Sequence, residues 1–182
     1  MNSSIRFRSA HRSDASALWR LVKETGTLEL NSSYFYLAFA EFFGDTCLVA
    51  EQQNQDGQYQ LAGGVIAFRP PHQPKVLFVW QIGVLPEARQ QGLAKRMLGA
   101  LLQFPACADV QYLQATVTLD NEASRRLFQS FAESQNVDCA ISSFFTTDLF
   151  PTEHEAEELF SIGPLPACEQ RTPSHDLSGA LK

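Results

Sequence analysis

In the stretch PEARQQGLAKRML, residues 86–98, three residues are spaced as Arg-x-x-Gly-x-Ala: Arg89, Gly92 and Ala94. That spacing suits anion binding. A helix N-terminus carries partial positive charge and ordinarily attracts Asp or Glu. Here the first turn of a helix beginning at Arg89 holds no carboxylate, and Lys95 and Arg96 add positive charge. Small residues at Gly92 and Ala94 let the backbone approach a ligand, and free N–H groups there point outward toward phosphate oxygens. The chain has neither the Gly-Lys-Ser/Thr of a P-loop nor the Gly-x-Gly-x-x-Gly of a dinucleotide site. Taken alone, the same letters also describe an ordinary strand-to-helix turn. Their place directly after a long apolar strand favours the anion site.

The elements that must hold this turn follow from periodicity and punctuation. SIRFRSA reads as a first strand. SDASALWRLVKET has Ala15, Leu18, Trp19 and Val22 at helical spacing, with Gly26 as its stop. SSYFYLAFAEFF is a second helix, capped by Ser32 or Ser33 and ended at Gly44. DTCLVAEQ and YQLAGGVIAFR are strands joined through an Asp56-Gly57 hairpin. KVLFVWQIGVL is so continuously apolar that it reads as a central strand buried on both faces. A helix carrying Leu93, Met97, Leu98 and Leu101 follows, then the strand VQYLQATVTL, then a helix capped by Asp120 or Asn121. VDCAISSFFTTDLF and AEELFSIG complete an α/β domain over residues 1–165. Residues 166–182, rich in Pro, Ser and charge, read as a mobile tail.

Composition narrows the partners. The net charge of −6 argues against nonspecific binding to nucleic acid or an anionic membrane. No segment approaches the roughly 20 apolar residues that cross a bilayer. The opening residues show no apolar run of the secretory kind, and the expected location is cytoplasmic. Cys47, Cys107, Cys139 and Cys168 have no paired spacing, so reduced thiols are expected rather than a disulfide framework or a zinc site.

The order of elements and the Arg-x-x-Gly-x-Ala run together resemble the GNAT superfamily of N-acetyltransferases over residues 5–163. The resemblance implies a mixed twisted sheet of seven strands flanked by four helices, the counts of the segments above. It implies acetyl-coenzyme A as cosubstrate, with its pyrophosphate on the backbone amides of Arg89, Gln90, Gln91, Gly92, Leu93, Ala94 and Lys95. Lys95 would add long-range attraction, or be a solvated helix charge. Ile82-Gly83-Val84-Leu85-Pro86 matches the family's Val-x-Val-x-Pro strand end, where the strand bulges, splays from its neighbour and binds the pantetheine arm through Ile82 and Val84. In TVTLDNEASRRLFQSF, Asn121 corresponds to the family's cofactor-facing asparagine. Phe128 stands where many relatives carry a tyrosine that protonates the departing thiolate, so here it packs or touches the cofactor.

Four segments, LELNSSYFYL, FRPPHQPKVLFVWQIGV, TVTLDNEASRRLF and FPTEHEAEELFSIGP, narrow the resemblance to the diaminobutyrate acetyltransferases of ectoine biosynthesis, a compatible solute of osmotic stress. What this implies is acetylation of the γ-amine of L-2,4-diaminobutyrate. One departure falls within the first segment, where Glu29 replaces the usual Asp and lengthens the carboxylate by one methylene. Lys75 also replaces an Asp. A diamino acid needs carboxylates for its ammonium groups, and Glu29, Glu155 and Glu158 are candidates, with His154 beside them. TEHEAEELF equally describes a charged surface turn, Trp80 a core aromatic, and Asn31 a helix cap. Asn31 and Trp80 are the further candidate substrate contacts.

The expected mechanism is direct attack in a ternary complex. An alkylammonium has a pKa near ~10 and must lose a proton to attack. Glu29 is the candidate base, Tyr34 the fallback acid for the thiolate, and a backbone N–H in the bulge at residues 81–84 the carbonyl polariser. No metal is expected. A homodimer is implied by the resemblance. Alternatives are a GNAT enzyme for another small amine or a protein N-terminus, and a non-catalytic acyl-coenzyme A binding module.

Overall fold

The computed structural model describes residues 4–168. Seven strands form one sheet: β1 (Ile5–Ser9), β2 (Leu48–Gln53), β3 (Tyr59–Phe68), β4 (Val76–Val84), β5 (Tyr112–Thr118), β6 (Cys139–Phe145) and β7 (Glu157–Ile162). Their spatial order is β1-β2-β3-β4-β5-β7-β6. All neighbours are antiparallel except β4 and β5. The four helices are α1 (Ala15–Thr25), α2 (Ser33–Phe42), α3 (Leu93–Leu101) and α4 (Glu122–Gln135).

The sheet separates two apolar layers, as an amphipathic helix on each face of a sheet requires. Leu18, Leu21, Val22 and Tyr36 of α1 and α2 pack on Val49 and Ile66. Met97, Leu98, Leu101, Phe128 and Phe131 of α3 and α4 pack on Val65, Leu77, Val79, Leu113 and Phe160. The helix limits follow their caps. Ser32 caps α2 by accepting from the Phe35 amide at 3.3 Å, and Asn121 caps α4 by accepting from Ser124 at 3.1 Å. Gly26 closes α1 with a left-handed φ of 67°.

Several boundaries differ from the sequence reading. Helix α2 stops at Phe42, and Gly44 opens a short 3-10 turn instead. Strand β6 ends at Phe145, because a further 3-10 turn occupies Thr147–Leu149. The helix expected from Arg89 begins only at Leu93. The chain also stays on the domain beyond residue 165: the Cys168 thiol lies 3.3 Å from Gln103 Oε1. The rest of the expected tail, residues 169–182, lies outside the described residues.

The β1 edge is tied down by charge. Arg8 donates to both carboxylate oxygens of Asp14 at 2.7 and 2.8 Å and to Glu51 at 2.9 Å. The hydrogen bonds from Arg8 hold the Asp14 carboxyl below its usual range. Burial alone would raise Glu51, but Arg8 and Arg6 hold it low as well. Depressed carboxyls stabilise the fold above their unfolded values near ~4, and that stability is lost as pH falls through the folded values. Arg8→Met is therefore expected to lower the melting temperature at pH 7 by about 2–4 °C, the shift for ~1 kcal/mol in a chain of this size. The difference from wild type should shrink toward pH 3. Melting curves that differ equally at both pH values would contradict this role.

Candidate active site

Strand β4 and the turn after it carry the site. Val79 and Gln81 pair with the consecutive residues Ala67 and Ile66, so Trp80 is an extra residue without a partner on β3. A bulge of this kind shifts the alternation of side chains by one. Leu77 and Val79 point into the α3–α4 layer, whereas Trp80 and Gln81 both face α2. The bulge therefore lies one residue before the 81–84 stretch expected from sequence. The strand is otherwise covered on both faces, as its apolar run leads one to expect: of its nine residues only Trp80 is exposed. Trp80 is 47% exposed and meets Phe35 and Phe39 at 5.6 and 6.5 Å between ring centres, so it is not a core aromatic.

Pairing of β4 with β5 runs only from Val76/Tyr112 to Phe78/Gln114. Beyond it the two parallel strands have no shared register, and their C-terminal halves border an opening. Ile82 and Val84 lie on this half of β4. The β5 side ends at Asp120, whose carboxyl is held below its usual range first by the Thr118 hydroxyl, which donates to it at 2.7 Å.

After β4 the chain makes a 3-10 turn at Pro86–Ala88 and then the loop that precedes α3. Gln90 and Gly92 both adopt left-handed backbone, with φ of 63° and 65°. Successive left-handed and helical residues aim consecutive amides into one concavity. The amides of residues 90–95 meet no acceptor, and the Gly92 N-cap has no side-chain partner. A Cβ built on Gly92 would meet nothing within 4 Å. The loop thus presents unused N–H donors to open space at a helix N-terminus, which fits a phosphate group. The Arg89 guanidinium is not free for that anion: it donates to the Val84 and Thr25 carbonyls at 3.3 and 3.2 Å, anchoring the loop to the end of α1. Lys95 and Ala94 are half-buried beside the amides, while Gln91 is exposed.

The segment between α1 and α2 lies against the bulge. Gln81 Nε2 donates to the Glu29 carbonyl at 2.6 Å, and the Asn31 amide lies 3.4 Å from the Tyr36 hydroxyl. Glu29 itself is exposed. Asn31 does not cap α2, since Ser32 does. Tyr34 corrects an expectation: it lies on the outer side of α2, 74% exposed, in a groove with Arg12, Trp19 and Arg20. The tyrosine facing β4 is Tyr36, which sequence reading passed over together with Gln81.

The acidic segment divides. Glu158 pairs with Arg125 of α4 at 2.5 Å, and that arginine lies over Phe160 in the α3–α4 layer. Its charge is paired on the face opposite Glu29. His154 stacks on Phe150 at 3.9 Å and its Nδ1 lies 2.6 Å from the Glu155 carbonyl. His154 Nε2 also lies 3.8 Å from Glu157, the register partner of Thr118 at the end of β5, so this segment stands at the β5 side of the opening.

The Acetyltransferase (GNAT) family model matches residues 15–132. The chain belongs to the GNAT acetyltransferase family. It is 46% identical over 162 residues to an L-2,4-diaminobutyric acid acetyltransferase of Marinococcus halophilus, covering 88% of this chain and 91% of that protein. It is 44% identical over 153 residues to the enzyme of the same name from Shouchella clausii, covering 84% and 83%. Among solved structures it resembles the diaminobutyrate acetyltransferase EctA of Paenibacillus lautus, in complex with its substrate L-2,4-diaminobutyric acid and coenzyme A. That match has a TM-score of 0.81 and 38% identity over 90% of this chain and 96% of that one. The seven-stranded mixed sheet and four helices are the GNAT architecture.

Two GNAT positions have their surroundings defined. Phe128 is 2% exposed and packs on Phe160 at 6.1 Å, so it is a core residue. Asn121 spends its side-chain oxygen on the α4 cap, which leaves its amide NH2 as the group that can face a ligand.

Proposed function

We propose that this GNAT enzyme transfers the acetyl group of acetyl-coenzyme A to the γ-amine of L-2,4-diaminobutyrate. The product is N4-acetyl-L-2,4-diaminobutyrate, the precursor of ectoine. The likeness to relatives bearing that activity by name, over nearly the whole chain, carries this reading. The residues fit the cosubstrate: the unused amides of residues 90–95 suit its pyrophosphate, and the open edge of β4 at Ile82 and Val84 suits its pantetheine amides. Acetyl-coenzyme A supplies the activated acetyl thioester.

The chain's own groups supply the rest. Glu29 takes the proton of the γ-ammonium, directly or through water. An N–H on the unpaired side of β4 polarises the carbonyl. Asn31 and Trp80 border the acceptor, and His154 and Glu155 bind its α-amino end, so only the γ-amine reaches the thioester. Attack is direct. Cys47 is buried and its thiol is pushed up to about 12 by that burial, and Cys107 is equally buried, so neither offers a thiolate for an acyl-enzyme. A coenzyme thiol with a pKa near ~8.5 leaves without a dedicated acid, consistent with Phe128 and with the outward Tyr34.

The enzyme acts in the cytoplasm as a homodimer. The free cysteines support the first part. For the second, β6 is a sheet edge without a charged residue, and Ile141, Phe144 and Phe145 are exposed on it. Sedimentation should give twice the chain mass of 20.3 kDa. Among the described residues no helix is long and apolar enough to cross a membrane.

A substrate screen separates this reading from its neighbours. Diaminobutyrate should exceed ornithine, putrescine and an unacetylated peptide in kcat/KM. A preference for the peptide would make the protein an N-terminal acetyltransferase, and cosubstrate binding without turnover would make it a binding module.

A further inference from the structure

Two buried polar side chains are joined end to end where α2 meets β4. Tyr36 has no exposed surface and Gln81 only 7%. The Tyr36 hydroxyl donates to Gln81 Oε1 at 3.1 Å, and Gln81 Nε2 donates to the Glu29 carbonyl at 2.6 Å. The Asn31 amide donates to the Tyr36 oxygen at 3.4 Å. Each link leaves the next group oriented: because the hydroxyl gives its proton to Oε1, the Gln81 amide must turn its NH2 toward Glu29. No buried side-chain nitrogen or oxygen among the described residues lacks a partner.

A glutamine within the apolar run VLFVWQIGV is costly unless its amide is used. Plain alternation would send Gln81 toward the same layer as Leu77 and Val79. The extra residue at Trp80 turns it to the α2 face instead. There it meets a stretch of chain that is neither helix nor strand, residues 26–32. An exposed loop has few means of holding a carboxylate still, and this one is fastened at the Glu29 carbonyl itself and at the Asn31 amide. The Glu29 charge also acts on Tyr36, whose ionisation is suppressed first by burial and further by that carboxylate.

We infer that Gln81 is a positioning residue for the acetyl transfer: turned to the α2 face by the Trp80 bulge and oriented by Tyr36, it holds Glu29 and Asn31 in register with the acceptor amine. This rests on Glu29 being the base. A clamp that serves stability alone would make the same contacts, so the test must read catalysis.

The test is a double-mutant cycle with Gln81→Met and Glu29→Gln, followed by steady-state kinetics from pH 7 to pH 10. Gln81→Met keeps the side-chain length and removes both hydrogen bonds. In the wild-type background it should lower kcat by roughly ten- to a hundredfold through misplacement of the base. The KM for acetyl-coenzyme A should stay unchanged, and part of the loss should return at high pH as free amine forms. In the Glu29→Gln background the same substitution should cost less than twofold, because residues acting as a unit are not additive. Tyr36→Phe, which removes one oxygen, should show the same pattern at smaller amplitude, and it carries the cycle if Gln81→Met folds poorly. Equal losses in both backgrounds, or wild-type kcat and pH profile in folded Gln81→Met, would overturn the clamp. Full activity of Glu29→Gln would instead sink the base reading, and the clamp's purpose with it. A loss in Glu29→Gln beside full activity in Gln81→Met removes the clamp alone.

Discussion

Replacing Glu29 with Gln lowers turnover roughly 10²–10⁴-fold at neutral pH if its carboxylate removes the proton of the γ-ammonium. The size follows from the acceptor: an amine with a pKa near ~10 is free in only about one molecule in a thousand at pH 7. The substitution keeps the shape of the side chain and the backbone carbonyl that Gln81 holds. Raising the pH should restore part of the rate by supplying free amine. A carboxylate that only bound the ammonium would behave differently, raising KM while saturated turnover stayed near wild type. Glu29→Asp restores the length of the family's usual residue and should be well tolerated if water carries the proton. Wild-type rates for Glu29→Gln at both low and saturating substrate would exclude both roles. The base would then be sought at Glu155 or His154, on the β5 side of the opening.

Gly92→Val is expected to weaken acetyl-coenzyme A binding at least ~10–100-fold, the cost of losing one or two charge-assisted hydrogen bonds at about 1.4 kcal/mol per factor of ten. The added side chain would project into the open space that the amides of residues 90–95 face. The left-handed φ of 65° also strains a β-branched residue by ~1–3 kcal/mol, so some loss of melting temperature accompanies the effect. Gly92→Asn separates the two, since Asn tolerates that backbone while still placing atoms over the amides. Calorimetric titration and melting curves on both variants decide the matter. Unchanged affinity in a folded Gly92→Val protein would remove the pyrophosphate from this loop.

Much of this arrangement was legible because it is written in local signals. Gly26, Ser32 and Asn121 sit where a helix must start or stop, and each caps or closes one. The apolar run of β4 announced the central strand. Its bulge was expected only from the resemblance and one residue too late, because one more apolar residue in an apolar run changes neither composition nor length noticeably. The lone Gln81 was the available clue: a polar side chain there needs a polar partner. Helix α2 was opaque for a related reason. Its sequence SYFYLAFAEF is apolar nearly all round, so nothing phased Tyr34 outward and Tyr36 inward. Glu158 looked free in the sequence because its partner Arg125 lies 33 residues away on another element, brought near only by the packing of α4 on β7.

The central claim is regiospecific acetyl transfer to diaminobutyrate, and the chemical identity of the product tests it most directly. The purified protein is incubated with acetyl-coenzyme A and L-2,4-diaminobutyrate, and the product is examined by mass spectrometry and proton NMR. The account predicts stoichiometric release of free coenzyme A and one product, acetylated at the γ-nitrogen with the α-amine free. Acetylation at the α-nitrogen, a mixture of isomers, or no product under conditions where acetyl-coenzyme A binds would contradict it.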